Sequence, residues 1–305
     1  MAADERVWCL DGDTGLFDAD AFGPAKDRYV NLGIAEHNLI GTAAGMAASG
    51  LLPYVNTMAA FAATRALEAV KVDVAYNALP VRIAATHGGL AAGHLGPTHH
   101  ALEDLAVMRA LPGCTVVVPA DADQAVRAVR QTADHPGPVY LRLGRGPTPP
   151  LASAVPEPGP EPFTVGRAQW LRRGPDVAIV ACGPYPVLAA LEAAEVLANL
   201  GATAAVLNLH TLAPLDADAV VEAAHGTAGV VTVEEHWRTG GLGGAVAEVL
   251  GERAPARIRR VGMPATFAEV AGGQRDLLER YGITGAAVAA AARELMEGTA
   301  WEGET

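Results

Sequence analysis

Aromatic residues are scarce in this chain: Phe, Trp and Tyr make up 5% of its 305 residues. Charged residues are also few, at 18%, while 50% of the sequence is hydrophobic and the mean hydropathy is +0.21. Little charge with much apolar content excludes a disordered chain, and apolar mass that is mainly aliphatic suits helices packed on sheets. Basic residues are outnumbered, 22 Lys and Arg against 34 Asp and Glu, which leaves a formal net charge of −12. That balance argues against nucleic acid or an anionic membrane as the main partner, and an anionic ligand would need a local basic pocket. Cysteine is nearly absent. Cys9, Cys114 and Cys182 are odd in number, far apart and form no C-x-x-C pair, so neither a disulfide framework nor a cysteine zinc site is expected. No basic segment followed by an apolar core opens the sequence. The longest apolar stretch, Leu39 to Leu52, is interrupted by Gly41, Thr42, Gly45, Ser49 and Gly50 and is too short to span a bilayer. A cytoplasmic chain without a membrane partner is the expectation.

The length leaves room for one large domain or two ordinary ones. Seven of the 21 prolines fall between Gly146 and Pro162, and proline both removes backbone donors and forbids regular helix. An extended linker over 147–162 is therefore expected, dividing the chain into 1–146 and 163–305. Before it, Val81–Thr86 and Thr115–Pro119 read as buried strands, and Ala62–Ala75, Leu102–Ala110 and Ala122–Thr132 carry apolar residues at helical spacing. After it, Asp176–Cys182, Ala204–Leu209 and Val230–Glu234 read as strands. Leu188–Leu200, Asp216–Ala224, Gly243–Leu250 and Ala286–Met296 read as helices. This alternation predicts two α/β domains, each a mainly parallel sheet covered by helices, with ligands at the strand ends.

Four of the nine histidines crowd into T-H-G-G-L-A-A-G-H-L-G-P-T-H-H, residues 86–100, where a predicted strand meets a predicted helix. His87, His94, His99 and His100 are candidates for acid–base work or for hydrogen bonds to a polar substrate, against a plainer reading as solvated loop histidines. No pair has the spacing of a helical H-E-x-x-H, and no carboxylate follows until Glu103, so a metal site is not expected. In Asn31-Leu32-Gly33-Ile34-Ala35-Glu36-His37-Asn38, a strand-like run passes a glycine and enters a helix of small residues. Glu36 is then either a helix-start glutamate or a buried carboxylate able to exchange a proton with a bound ring. Arg142 and Arg145 can each anchor an anion, although surface exposure is the commoner fate. Glu234-Glu235-His236 reads as a strand end with solvated charges rather than as an acid–base group.

Together these segments resemble the transketolase family, in particular the C-terminal half of a transketolase made as a separate chain. The likeness is carried by N-L-G-I-A-E-H-N at 31–38, F-A-A-T-R at 61–65, A-T-H-G-G-L at 85–90 and G-P-T-H-H at 96–100. It continues through A-L-E-D-L-A-V-M-R-A-L-P-G at 101–113, V-V-V-P-A-D at 116–121 and E-E-H-W-R-T-G-G-L-G-G at 234–244. The resemblance implies a pyrimidine-binding domain before the linker and a transketolase C-terminal domain after it. It further implies thiamine diphosphate as cofactor and transfer of a two-carbon unit from a ketose to an aldehyde. Glu36 matches the glutamate that hydrogen-bonds the aminopyrimidine; Phe61 matches the aromatic packed on that ring, with Ile34, Met58 and Arg65 around it. His87 and His99 match histidines facing the reacting oxygens. Arg145 matches a substrate-phosphate contact, and His94, Leu95 and His100 share the same loop.

Three departures qualify the match. The family holds the diphosphate and Mg2+ through a G-D-G motif followed by asparagine in an N-terminal domain, which Asp11-Gly12-Asp13-Thr14 resembles only superficially. A partner subunit carrying that domain is therefore expected, within a heterotetramer of two chains of each kind. Leu95 stands where the family has an aspartate that reads a donor hydroxyl. A buried leucine cannot accept that hydrogen bond, a loss of about 1–3 kcal/mol, so a donor lacking the hydroxyl, such as pyruvate, is expected. Met58 replaces a residue often aromatic, a mild change of the cofactor wall. The β subunit of a 2-oxo acid dehydrogenase decarboxylase and a non-catalytic scaffold half are the alternatives. G-I-A-E-H-N and G-P-T-H-H weigh against the first; the joint presence of Glu36, Phe61, His87, His99 and Arg145 weighs against the second.

Overall fold

The computed structural model describes residues 1–16, 18–155 and 162–298. Six strands from the first half form a parallel array: β1 (Val7–Asp11), β2 (Tyr29–Asn31), β3 (Leu52–Met58), β4 (Arg82–Thr86), β5 (Thr115–Val117) and β6 (Val139–Arg142), in the order β5-β6-β4-β3-β1-β2. The second half supplies β7 (Gln169–Arg172), β8 (Val177–Ala181), β9 (Ala204–Asn208), β10 (Thr211–Ala213), β11 (Val230–Trp237) and β12 (Ile258–Met263). Its sheet runs β12-β11-β8-β9-β7, parallel except at the β7–β9 edge. β10 does not join it. This strand pairs antiparallel with β5 as the seventh strand of the first sheet, and the Val118 amide donates to the His210 carbonyl at 2.7 Å.

Helices cover both faces because alternate strand residues are apolar on both sides. In β8, Val177, Ile179 and Ala181 pack in one core with α6 (Pro184–Asn199), α9 (Gln274–Arg280) and α10 (Gly285–Glu297). Ala178 and Val180 pack in the other with α7 (Ala217–Ala224) and α8 (Leu242–Arg253). That second core runs on into the first half. It also holds Leu39 and Ile40 of α1 (Glu36–Ala48), Ala59 of α2 (Ala59–Ala63), and Leu105 and Met108 of α4 (Asp104–Arg109). On the opposite face of the first sheet, Val117, Val139 and Leu141 meet Ala128 of α5 (Ala122–Thr132), whose N-cap Asp121 accepts the Gln124 amide at 2.8 Å.

Two expectations change. The continuous helix over Ala62–Ala75 is broken into α2, α3 (Leu67–Ala69) and a π-helical turn at Val70–Ala75. The Thr64 hydroxyl donates back to the Ala60 carbonyl at 2.5 Å, and the Ala66 amide reaches the Phe61 carbonyl at 3.0 Å, a wide turn that ends α2. The start of the Pro-rich stretch is not a free extended strand: Leu151 is buried, with its amide on Asp121 Oδ2 at 2.7 Å. Residues 156–161 of that stretch lie outside the described residues.

Candidate active site

β2 ends where the Asn31 side chain accepts the Gly33 amide at 2.8 Å, and Gly33 turns the chain with a φ of 70°. α1 then opens directly on Glu36, whose side chain is 2% exposed while Ile34, two residues earlier, is 76% exposed. Burying a carboxylate requires a partner. Arg65 Nη1 supplies it, donating to Glu36 Oε2 at 2.7 Å, and no other hydrogen bond reaches this carboxylate among the described residues. The wide turn after α2 folds Arg65 back so that its guanidinium lies 4.5 Å from the centre of the Phe61 ring. Phe61 in turn meets the His99 ring edge-on at 5.3 Å. Met58, half-buried, ends β3 just before α2.

His87 follows β4 with a φ of 59°, a left-handed backbone uncommon outside glycine. Its ring is buried with Nδ1 3.0 Å from the Thr86 hydroxyl. Burial first, then the positive charges of Arg145, His94 and His99, push its pKa down to about 4, so the imidazole is neutral near pH 7. His99 Nδ1 lies 2.8 Å from the Thr98 hydroxyl. The structure thus gathers His87, His94, His99 and Arg145 about one position, and Phe61 joins His99 to the Arg65–Glu36 pair. His94 and Arg145 are exposed. His100 is buried, and neither ring nitrogen makes a hydrogen bond. It lines a cavity of about 170 Å³ with Phe61, Thr64, Glu103, Trp237 and Phe267.

Three expectations need correction. Leu95 is 41% exposed rather than buried, because it ends a short 3-10 turn, Gly93–Leu95, at the loop surface. Arg142 is not a surface arginine. It is 6% exposed, with Nε on Asp104 Oδ2 at 2.9 Å and Nη2 on Asp104 Oδ1 at 3.0 Å, the Ala101 carbonyl at 2.8 Å and the Glu235 carbonyl at 2.9 Å. Glu234-Glu235-His236 is not solvated, since β11 runs on to Trp237 and buries all three side chains, Glu234 against α8 and Glu235 and His236 against the first half.

Each of the three has a defined partner. Glu234 accepts the Leu242 and Gly243 amides at 2.7 and 2.8 Å and so caps α8, yet burial still raises its pKa to about 7. His236 has Nδ1 2.6 Å from the Trp237 carbonyl, so that nitrogen carries the proton, leaving Nε2 to accept the Ala106 amide at 3.3 Å. Glu235 Oε1 accepts the Leu90 amide at 2.6 Å. One sequence signal pointed here: α8 opens on Gly241 with no side-chain cap of its own, so its amides must find an acceptor elsewhere.

Asp11 explains its own motif. The carboxylate accepts from Thr14, Tyr29 and Asn56 at 3.0, 2.9 and 2.6 Å, an internal strap joining β1, β2 and β3. Among the described residues no group of His, Cys, Asp and Glu is arranged to hold a metal, and no helix is long and apolar enough to cross a membrane. The cysteines are free and buried, and burial pushes the thiols of Cys9 and Cys114 up to about 12.

Arg65 tests whether a cofactor ring fits. A flat, cationic, hydrogen-bonding group already rests on Phe61 while donating to the buried Glu36, the two contacts that an aminopyrimidine needs. Residues 1–150 match the family described as transketolase, pyrimidine binding domain, and residues 166–288 match transketolase, C-terminal domain. The chain belongs to the transketolase family, which uses thiamine diphosphate, and it spans those two domains. It is 42% identical to a 6-deoxy-6-sulfo-D-fructose transketolase subunit from Clostridium sp. strain MSTE9, over 96% of this chain and 90% of that one. Identity with an apulose-4-phosphate transketolase subunit from Phocaeicola vulgatus is 40%, covering 84% and 80%. Among solved structures, a split-gene transketolase described as an inactive beta4 tetramer superposes with a TM-score of 0.85 at 41% identity, over 97% and 94% of the two chains. A Pichia stipitis transketolase variant shares the fold at 23% identity and TM-score 0.78, this chain covering 43% of it.

Proposed function

We propose that this chain is the pyrimidine-binding subunit of a two-component, thiamine-diphosphate-dependent transketolase-like enzyme. It moves a two-carbon unit from a ketose phosphate or related donor to an aldehyde acceptor. The observation that carries this reading is the Arg65 guanidinium held between Glu36 and Phe61. When bound, the cofactor supplies the electron sink. Glu36, freed from Arg65, would hydrogen-bond the aminopyrimidine, and Phe61 would stack on that ring, with Met58 and Ile34 beside it. His87 and His99 exchange protons with the reacting oxygens, a task for which a neutral His87 is suited. Arg145, exposed on the loop after β6, meets the substrate phosphate, and His94 and His100 border the same space.

A partner subunit completes the site and holds the diphosphate and Mg2+, with two chains of each kind in the assembly. Supporting this, Ile34, Leu95 and Phe267 leave large apolar side chains exposed on the loops around the site, and the relatives named above are themselves called subunits. The functional division follows 1–146, 147–162 and 163–305. Leu95 puts an exposed apolar group where a donor hydroxyl would be read, which favours donors without that hydroxyl. The test is copurification from native cells, then ketol transfer by the assembled complex with a donor panel. A Glu36→Gln variant is expected to lower turnover roughly 100-fold or more with the circular dichroism unchanged. Near-normal turnover overturns the role of Glu36, and xylulose 5-phosphate as best donor by a wide margin overturns the role of Leu95.

A further inference from the structure

We infer that Glu235, together with Arg142, is a positioning residue for His87, so that the second domain shapes the reacting loop. The inference rests on the catalytic reading of His87 proposed above. A left-handed backbone at a histidine persists only where its surroundings leave no alternative, and here the constraint is visible atom by atom. The Gly88 amide donates to the Leu143 carbonyl at 2.9 Å, and Gly89 and Ala101 exchange amide–carbonyl bonds at 3.0 and 2.9 Å. Glu235 Oε1 takes the next amide, that of Leu90, at 2.6 Å.

The carboxylate cannot rotate away, because Gln274 Nε2 donates to both its oxygens at 2.9 and 3.0 Å. Arg142 closes the other side by gripping the Ala101 and Glu235 carbonyls. The space between is filled. A Cβ on Gly88 would lie 2.8 Å from the Arg142 side chain, and one on Gly89 would lie 2.6 Å from that of Glu235. A third tie, the Gly272 amide on the Gly93 carbonyl at 3.0 Å, again comes from the second half.

Bulk alone does not explain a carboxylate here. Burial raises the pKa of Glu235, so an apolar side chain of similar size would fill the space at less cost. Only an acceptor can hold the Leu90 amide and, three residues along the chain, the orientation of His87.

The experiment uses the full chain with its copurified partner subunit, comparing wild type, Glu235→Ala and Glu235→Gln. Glu235→Ala is expected to lower kcat roughly 10- to 100-fold, with KM and the thiamine diphosphate Kd within about 3-fold; the Leu90 amide and Gln274 side chain left without their acceptor also lower Tm by a few degrees. Amide hydrogen exchange across residues 87–101, read on the chain without cofactor, is expected to speed up roughly tenfold. Glu235→Gln, which keeps the acceptor, is expected to restore both. Unchanged exchange in Glu235→Ala, unchanged kcat, or a Glu235→Gln variant that recovers Tm without recovering kcat and exchange would each overturn the inference. Should the wild-type assembly show no ketol transfer, the catalytic reading of His87 falls, and the inference with it; the exchange measurement then reports only whether Glu235 holds the loop.

Discussion

Replacing Asp104 by asparagine should expose what the buried ion pair contributes. Asp104 is 0% exposed and accepts three hydrogen bonds, from Arg142 Nε and Nη2 at 2.9 and 3.0 Å and from the Tyr140 hydroxyl at 2.8 Å. Asparagine keeps one oxygen but turns an NH2 toward groups that are themselves donors. The guanidinium of Arg142 loses the charge paired with it and keeps the two carbonyls and at most the one remaining side-chain oxygen. Removing one member of a buried pair costs about 3–5 kcal/mol; the Tyr140 hydroxyl falls within that figure because neighbouring losses are not additive. Urea unfolding followed by circular dichroism measures the loss directly. In thermal unfolding it corresponds to roughly 6–20 °C at about 2–4 °C per kcal/mol. A loss under about 1 kcal/mol, the size of an exposed pair, would refute the reasoning. The paired change Asp104→Leu with Arg142→Met removes both charges together and is expected to recover most of the stability.

Stability should also respond to pH with two opposite signs. Glu234 has its pKa raised from 4.5 to about 7, so its contribution is full below pH 4.5 and is lost as pH rises through 7. Glu234→Gln should flatten that fall in the urea midpoint, and an equal fall in the variant would count against the assignment. His87 and His210, both lowered from 6.5 to about 4, contribute stability that is present above pH 6.5 and lost as pH drops through 4. Arg65→Met empties the seat over Phe61 and should tighten thiamine diphosphate binding to the assembled complex by up to about 5-fold; calorimetry showing weaker binding would mean that Arg65 instead holds the cofactor. Gly89→Ala forces a Cβ into Glu235 at a φ of +64° and should cost roughly 1–3 kcal/mol in thermal unfolding.

The alternation of strands and helices was readable because apolar runs and breakers are local. So was Glu36, whose place after Gly33 and before a run of small residues marks a helix start. The broken segment after Phe61 was not, since one threonine hydroxyl bonding backward decides it while the apolar spacing continues. β3 went unread for a different reason: it follows α1 after three residues, and its first residue, Leu52, closes the apolar stretch that begins inside α1 at Leu39. The burial of Glu234, Glu235 and His236 is least local of all. Their character comes from contacts such as Leu90 with Glu235 and Ala106 with His236, separated by 145 and 130 residues. A strand end of two acids and a histidine looks wet until another domain is laid across it.

The placement of β10 has a consequence for how this polypeptide can be divided. Thr211–Ala213 crosses from the second half to become the outermost strand of the first sheet, and one apolar core spans both halves. Cutting the chain in its proline-rich stretch would strip that strand away, baring the amides and carbonyls of β5 as an open, sticky margin beside exposed core. Two fragments made that way should clump unless expressed together, although the cut falls where the sequence looks most like a seam.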